Sequence, residues 1–187
     1  QNGRAVGKLP HFDELLANQV ALALVRRRLR KTSGRSTKGT GEMRQKILSA
    51  LPFSLTPSQT LVLGEIDADI KEPARMLRLL QGDVGSGKTI VALMAMASAV
   101  EAGSQAAFMA PTEILARQHL ATLTPLCEEA GIAVALLTGR EKGKERSRIL
   151  EQLAGGDIDI LVGTHALFQE GVDFKDLALA VIDEQHR

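Results

Sequence analysis

The feature that most constrains this chain is the segment 82–89, GDVGSGKT, which satisfies the pattern G-x-x-x-x-G-K-[ST] at every position. An apolar run of strand length, 76–81, precedes it, and an apolar run of helical length, 89–102, follows it. A glycine-rich turn between a strand and a helix points backbone N–H groups and the positive end of the helix at phosphate oxygens. The segment therefore predicts a phosphate-binding loop.

Each residue type in this loop has a chemical task. The backbone would wrap the phosphates, the Lys88 ammonium would reach the β and γ phosphates, and the Thr89 hydroxyl would ligate Mg²⁺. The predicted nucleotide-binding residues are Gly82, Gly85, Ser86, Gly87, Lys88 and Thr89. A merely flexible glycine turn is the alternative, and the strand-to-helix context argues against it.

From residue 52 onward, short apolar runs alternate with helical segments. Strands are predicted over 76–81, 105–109, 133–137, 158–162 and 177–183, and helices over 89–102, 113–130 and 144–154. This alternation predicts an α/β fold with a mostly parallel sheet covered by helices on both faces. In such folds ligands bind beyond the carboxyl ends of the strands, so the residues that follow each strand are candidate site residues.

The last predicted strand ends in an acidic pair, Asp183 and Glu184. Burying a carboxylate at a strand end is costly unless it is paired or bound to a metal. Asp183 is placed to hold Mg²⁺ through its water shell, and Glu184 to orient or deprotonate an attacking water. Taken alone, such a pair is usually a turn; together with the phosphate loop it predicts the second half of a nucleotide site.

Gln59 supports two interpretations. With Thr56 as N-cap and Pro57 at the first helical position, Gln59 completes a capping box and serves only its own helix. Its amide could also donate to and accept from the edge of adenine. Physical reasoning alone favours the cap.

Charge divides the chain unevenly. Residues 1–50 carry 11 Lys and Arg against 3 acids, whereas residues 51–187 carry 12 against 19. An amphipathic helix is predicted over 12–30, followed by a flexible, basic loop at about 32–41 and a short helix over 43–51. The cluster 26–31, RRRLRK, either places cations at a helix C-terminus or contacts phosphates.

Composition excludes several classes of protein. One cysteine rules out a disulfide framework or a zinc-finger cluster, and 3% aromatic residues leave little material for stacking bases. No apolar run approaches the roughly 18 residues of a membrane span, so we expect no membrane association. Any nucleic acid would be held through charge and backbone groups.

These motifs, with 110–119 (APTEILARQH), 163–167 (GTHAL) and 183–187 (DEQHR), occur in the order found in superfamily 2 helicases. The residues of these motifs most resemble those of the RecG family of bacterial ATP-dependent DNA helicases, and the resemblance extends over nearly the whole chain. The translocases of transcription-coupled repair and the primosomal helicases are the nearest alternatives. The implied fold is a RecA-like P-loop NTPase domain, here the first motor domain over 52–187, with a helical extension over 1–51.

The resemblance assigns roles that the residues alone leave open. Gln59 would contact adenine, which makes ATP the expected nucleotide, with Mg²⁺, and His186 would link the nucleotide and nucleic-acid sites. Lys88, Asp183, Glu184 and His186 are the expected catalytic residues. The residues expected to face the nucleic-acid backbone are Pro111, Thr112, Thr138, Gly139, Gly163, Thr164 and His165. An ordinary strand-to-helix entry or a helix cap is the alternative for these positions.

The same resemblance implies a larger, monomeric, cytoplasmic bacterial protein that remodels branched DNA such as stalled forks and Holliday junctions. A second RecA-like domain and an N-terminal wedge domain are expected in it, so this chain alone should have little or no activity. A phosphate-loop enzyme of another kind and a non-catalytic, nucleotide-gated binding module remain the alternative functions.

The family pattern also places a further strand between the phosphate-loop strand and the acid-bearing strand. If that strand lies beyond residue 187, the centre of the sheet would be unfilled. The chain would then be less stable than its length suggests, or would pair with another copy; a cooperative melt of a dilute monomer would count against this hypothesis.

Overall fold

The computed structural model describes residues 34, 36, 37 and 39–183. Its elements in chain order are α1 (Glu42–Ala50), α2 (Pro57–Lys71), α3 (Lys88–Glu101), β1 (Gln105–Met109), α4 (Glu113–Ala130), β2 (Val134–Leu137), α5 (Gly143–Gly155), β3 (Ile160–Gly163), a 3₁₀ turn (His165–Phe168) and β4 (Leu177–Ile182). The predicted helix over 12–30 and the basic cluster 26–31 lie outside the described residues, so both stay predictions.

The four strands form one parallel sheet in the order β2-β3-β1-β4. Parallel neighbours require crossover connections, which α4 supplies between β1 and β2 and α5 between β2 and β3. All four strands therefore end at the same edge of the sheet. The predicted parallel α/β fold is confirmed, and so is each helix predicted between 89 and 154, to within a residue or so of its bounds.

Side chains from β1 alternate between two cores because successive residues of a strand face opposite ways. Ala106 and Phe108 belong to the larger core, which α1, α2, α3 and α4 cover. Ala107 belongs to the smaller core, which α5 and the 3₁₀ turn cover through Leu153 and Leu167. The sheet thus has helices on both faces, as the alternating pattern predicts.

Helix α3 lies at the centre of the larger core. From Ile90 to Val100 all its residues are buried except Ala92, which is partly buried. A helix with apolar residues on every side is stable only when it is enclosed on every side. Its enclosure holds the preceding phosphate loop against the rest of the domain.

The prediction of a strand over 76–81 is wrong, because residues 75–83 form neither a helix nor a strand. Its alternation is nevertheless that of a strand, since Met76 and Leu80 pack against the larger core while Leu77 and Leu79 are 42% and 40% exposed. A strand also requires a hydrogen-bonded neighbour. In the described part of the chain, the only strand that pairs with β4 is β1, so the segment has inward-facing apolar residues but no ladder.

The short helix α1 is part of the larger core. Its Ile47 is fully buried in the larger core, and α1 packs against α3 and α4. Glu101, the last residue of α3, accepts hydrogen bonds from the backbone N–H groups of Gly41 and Met43 and from the Thr40 hydroxyl. Burial acts to raise the pKa of Glu101, but these hydrogen bonds outweigh it and the pKa lies below its ordinary value. The domain boundary between 51 and 52 stays a prediction, although this packing carries the core across it.

The described residues of the predicted flexible loop are anchored. Gly34 and Thr37 donate backbone hydrogen bonds to the carbonyl oxygens of Pro73 and Ile70, and the Ser36 hydroxyl donates to that of Lys71. These contacts hold the loop against the end of α2.

Candidate functional site

The phosphate loop is exposed and has the backbone geometry that its glycines permit. Gly85 and Gly87 have φ values of 79° and 78°, in the left-handed region that residues with a Cβ rarely adopt. Gly87 is also the N-cap of α3 and has no side chain to satisfy the first N–H groups of that helix. The Ile90 N–H donates to the Gly87 carbonyl, whereas the N–H groups of Lys88 and Thr89 begin the helix, where an anion can bind.

Lys88 folds back over this loop. Its ammonium donates hydrogen bonds of 2.7 Å to the carbonyl oxygens of Gly82 and Asp83. Both acceptors are neutral, whereas a phosphate is an anion and would form a stronger bond with the same ammonium because both partners are charged. The side chain is held at the mouth of the loop, where phosphates would replace its present partners.

Gln59 joins the start of α2 to the phosphate loop. Its side-chain oxygen accepts from the Thr56 N–H, and its own N–H donates to the Thr56 hydroxyl, so the predicted capping box is confirmed. The amide nitrogen donates to the carbonyl oxygen of Ser86 at 2.8 Å. The cap and a place beside the nucleotide loop are compatible, whereas the adenine contact itself stays a prediction.

Asp183 follows β4 at the carboxyl edge of the sheet. Its N–H extends the ladder by donating to the carbonyl oxygen of Met109. Its carboxylate oxygen Oδ2 lies 2.8 Å from Nε2 of His119 on α4. Glu184 and His186, the other predicted catalytic residues, lie outside the described residues, and their roles stay predictions.

The oxygen donors at this edge fit Mg²⁺ rather than a metal that needs an all-protein cage. Thr89 offers a hydroxyl in the first turn of α3, a helix that contacts β4, and Asp183 offers a carboxylate that is 25% exposed. Mg²⁺ prefers oxygen ligands and usually combines one or two carboxylates with phosphate oxygens and water. Among the described residues, no group of three or more His, Cys, Asp or Glu could hold a metal.

The seven positions predicted to face nucleic acid divide into exposed and buried residues. The exposed residues are Pro111, Thr112, Gly139 and His165, and the buried residues are Thr138, Gly163 and Thr164. The Thr112 and Thr164 hydroxyls cap α4 and the 3₁₀ turn, accepting from the N–H groups of Leu115 and Ala166. These residues lie at or just after the ends of β1, β2 and β3, so they share one edge of the sheet.

The buried residues of this set determine how closely the strand ends and loops pack together. A Cβ on Gly163 would overlap the carbonyl oxygen of Leu137, so only glycine lets β3 lie this close to the end of β2. Thr138 is fully buried, and both its N–H and its hydroxyl donate to Glu141. In this conformation the surface of the 138–141 loop belongs to Gly139 and Arg140.

An ionic network connects this loop to the start of α4. Arg117 donates to Glu141 at 3.0 Å and to Glu113 at 3.2 Å, and Arg140 lies 2.7 Å from the same Glu113 oxygen. Burial acts to raise the pKa of Glu141, but the Thr138 hydrogen bonds and the Arg117 charge outweigh it, so the pKa is lowered. Glu141 therefore stays an acceptor that ties the 138–141 loop to α4.

Sequence reasoning missed Arg117, His119, Arg140 and Glu141. Each lies within or beside a segment in which other residues were predicted to bind nucleic acid. Local spacing in the sequence cannot show which helix residue contacts the end of a distant strand. A signal existed for His119 alone: it lies seven residues after the Thr112 cap, hence on the same face of α4.

Among the described residues, no helix has both the length and the apolar composition that crossing a membrane would require.

A phosphate loop before a buried helix, with an acid at the end of a parallel strand, defines a P-loop nucleotide-binding domain. The chain belongs to the DEAD/DEAH box helicase family, whose family model matches residues 53–187. The predicted RecA-like fold and the resemblance to RecG are confirmed by the relatives that the chain matches.

Similar proteins are named ATP-dependent DNA helicase RecG. That of Bacillus subtilis (strain 168) is 50% identical over 177 residues, which is 94% of this chain and 26% of the relative. That of Escherichia coli (strain K12) is 43% identical over 176 residues, 94% of this chain and 25% of the relative. A solved structure of RecG bound to a three-way DNA junction matches with a TM-score of 0.83 and 44% identity, over 94% of this chain and 24% of that one. The chain thus spans about a quarter of the length of these relatives.

Two glycines in the predicted nucleic-acid interface should respond differently to the same change. Gly163→Ala is expected to lower the free energy of unfolding by about 1–3 kcal/mol or more, because its Cβ would strike the Leu137 carbonyl and the Leu167 side chain. Gly139→Ala, with nothing within 4 Å of its Cβ, should change that free energy by no more than about 0.5 kcal/mol. Urea denaturation followed by circular dichroism measures both, and equal effects would contradict the geometry.

Proposed function

We propose that this chain is the ATP-binding segment of a DNA helicase motor that, in the whole protein, remodels branched DNA in recombination and repair. A second RecA-like domain and a wedge domain are part of this proposal, as are a monomeric state and a bacterial cytoplasmic location. The names of the relatives and the DNA junction held by a similar structure support it.

The observation that carries the nucleotide assignment is the 2.8 Å hydrogen bond from the Gln59 amide to the Ser86 carbonyl. It brings a side chain able to recognise adenine against the loop that would hold the phosphates. One ligand with an adenine at one end and phosphates at the other could occupy both, which favours ATP over a nucleotide with another base.

The phosphate end would be bound by the loop and by Lys88. Phosphate oxygens would accept from the N–H groups at the start of α3, and the Lys88 ammonium would leave the carbonyls of Gly82 and Asp83 for the β and γ phosphates. The Thr89 hydroxyl would hold Mg²⁺ directly, and Asp183 would hold it through water bound to the ion. Mg²⁺, when bound there, would neutralise charge on the phosphates. Glu184 would orient the attacking water.

The DNA end of the site would be the carboxyl edge formed by Pro111, Thr112, Gly139 and His165. Buried Thr138, Gly163 and Thr164 would support this edge. Contacts to the phosphate backbone carry no sequence information, which suits a motor that must tolerate every sequence. Arg140, with 74% of its side chain exposed, is the cation that the 138–141 loop presents there.

Titration of the chain with fluorescent Mg·ADP tests the nucleotide assignment. Saturable binding is expected, and Lys88→Ala should weaken it by about tenfold to a hundredfold because a charge-assisted contact is lost. Gln59→Ala should remove the preference for ADP over unlabelled GDP. Lys46→Ala, which removes an exposed lysine of α1, is the matched control and should bind like the parent. A folded chain that binds GDP and ADP equally would contradict the adenine assignment.

Titration with a mixed-sequence single-stranded oligonucleotide at several salt concentrations tests the DNA edge. Arg140→Ala is expected to weaken binding and to reduce the slope of log K against log salt by about 0.7, the value for one lost contact to a single strand. Arg148→Ala, an exposed arginine of α5, is the control. An unchanged slope for Arg140→Ala would remove this residue from the interface.

A further inference from the structure

The contact between His119 and Asp183 ties the end of one strand to the middle of one helix. Nε2 of His119 lies 2.8 Å from Oδ2 of Asp183, and the two side chains are 15% and 25% exposed. A carboxylate only accepts hydrogen bonds, so Nε2 is the donor. This is a short bond in a largely enclosed place, between residues 64 positions apart in the chain.

The imidazole is held in this orientation by Phe108. The two ring centroids are 4.8 Å apart with an interplanar angle of 58°. Phe108 is 1% exposed, lies in β1 and is in register with Val181, two residues before Asp183. The ring and the carboxylate are thus positioned by neighbouring strands of one sheet, and His119 cannot turn away without leaving its aromatic contact.

The hydrogen bond from His119 restricts the orientation of the Asp183 carboxylate. A donor on Oδ2 fixes the plane of the group and leaves Oδ1 as the oxygen free to face water or a cation. Carboxylates that ligate metals are commonly oriented by a hydrogen bond of this kind. Removing the donor typically lowers metal affinity or activity by 10–100-fold. His119 is therefore a positioning residue for Asp183.

His119 also belongs to the helix that begins at the proposed DNA edge. Helix α4 is capped by Thr112, and His119 follows seven residues later, about 10 Å along the axis. Glu113 and Arg117, in the first turns of the same helix, hold the 138–141 loop through Arg140 and Glu141. These ion pairs join the 138–141 loop to the helix that carries His119.

We propose that His119 is the residue through which α4 holds Asp183 in position, so that DNA contact at the start of α4 alters how the nucleotide site engages Mg²⁺. This inference rests on the proposed function, because it takes Asp183 as the carboxylate that faces Mg²⁺ and the 111–112 segment as facing DNA. It adds a role for a side chain that neither assignment requires.

The test compares His119→Leu, which keeps an apolar body beside Phe108 but has no donor, with His119→Gln, whose amide nitrogen can replace Nε2. The measurement is the Mg²⁺ concentration that gives half of the maximal gain in affinity for fluorescent ADP, determined by titration of the chain. His119→Leu should raise this midpoint by about tenfold or more. His119→Gln should stay within about threefold of the parent, and ADP affinity in EDTA should be the same in all three.

The same titrations with saturating single-stranded oligonucleotide test the link to α4. The midpoint of the parent should shift when DNA is bound, and that of His119→Leu should not, because a coupling between two ligands requires the element that connects them. A parent midpoint that ignores DNA would overturn the coupling.

Two outcomes separate this inference from the proposed function. If the parent binds Mg·ADP and folded His119→Leu has the same Mg²⁺ midpoint, the positioning role is overturned while the nucleotide site stands. If the folded parent binds no nucleotide, the proposed function fails and the inference fails with it. Should His119→Leu not fold, His119→Phe, which keeps a ring beside Phe108 but has no donor, replaces it, and an unchanged midpoint in that variant overturns the positioning role.

Discussion

Burial of helix α3 on every side is the constraint on which the site depends. Its apolar residues run almost without interruption from Ile90 to Val100, so no orientation of the helix leaves a polar face for water. The parallel sheet lies against it, and α1 and α2 pack on it from other directions. Because the phosphate loop leads directly into this helix, the loop is held at a fixed place even though its own residues are exposed. An anion can therefore bind at the start of a helix whose position is set by packing on every side.

Parallel strand order places the other half of the site. All four strands end at one edge, so segments that are far apart in the chain meet there. The edge has an outer layer of exposed residues and an inner layer of buried ones. Gly163 and Thr138 belong to the inner layer, where a missing Cβ and two hydrogen bonds to Glu141 set the spacing of the loops. Substitutions at buried and exposed positions of one motif should therefore affect different properties of the protein.

The elements that the sequence predicts correctly are those whose signals are local. The capping box of Thr56 and Gln59, the glycine pattern of the phosphate loop and the alternation of strands with helices each depend on neighbours within a few residues. The strand over 76–81 failed for the opposite reason: its alternation is local, but strand formation depends on a partner that no local pattern can supply. Residues 119 and 183 show the same limit within the site. No spacing rule joins His119 to a carboxylate at a distant strand end. The packing of His119 against Phe108 of β1 and the register of β1 against β4 bring them together.

An experimental structure of the chain with Mg·ADP tests whether a single ligand spans Gln59 and the phosphate loop. We expect adenine on the Gln59 amide, phosphate oxygens on the N–H groups at the start of α3, and the Lys88 ammonium moved from the carbonyls of Gly82 and Asp83 to the β phosphate. Asp183 should keep its hydrogen bond to His119 and face Mg²⁺ with its other oxygen. A nucleotide bound elsewhere, or Lys88 still on the loop carbonyls beside bound phosphates, would contradict it.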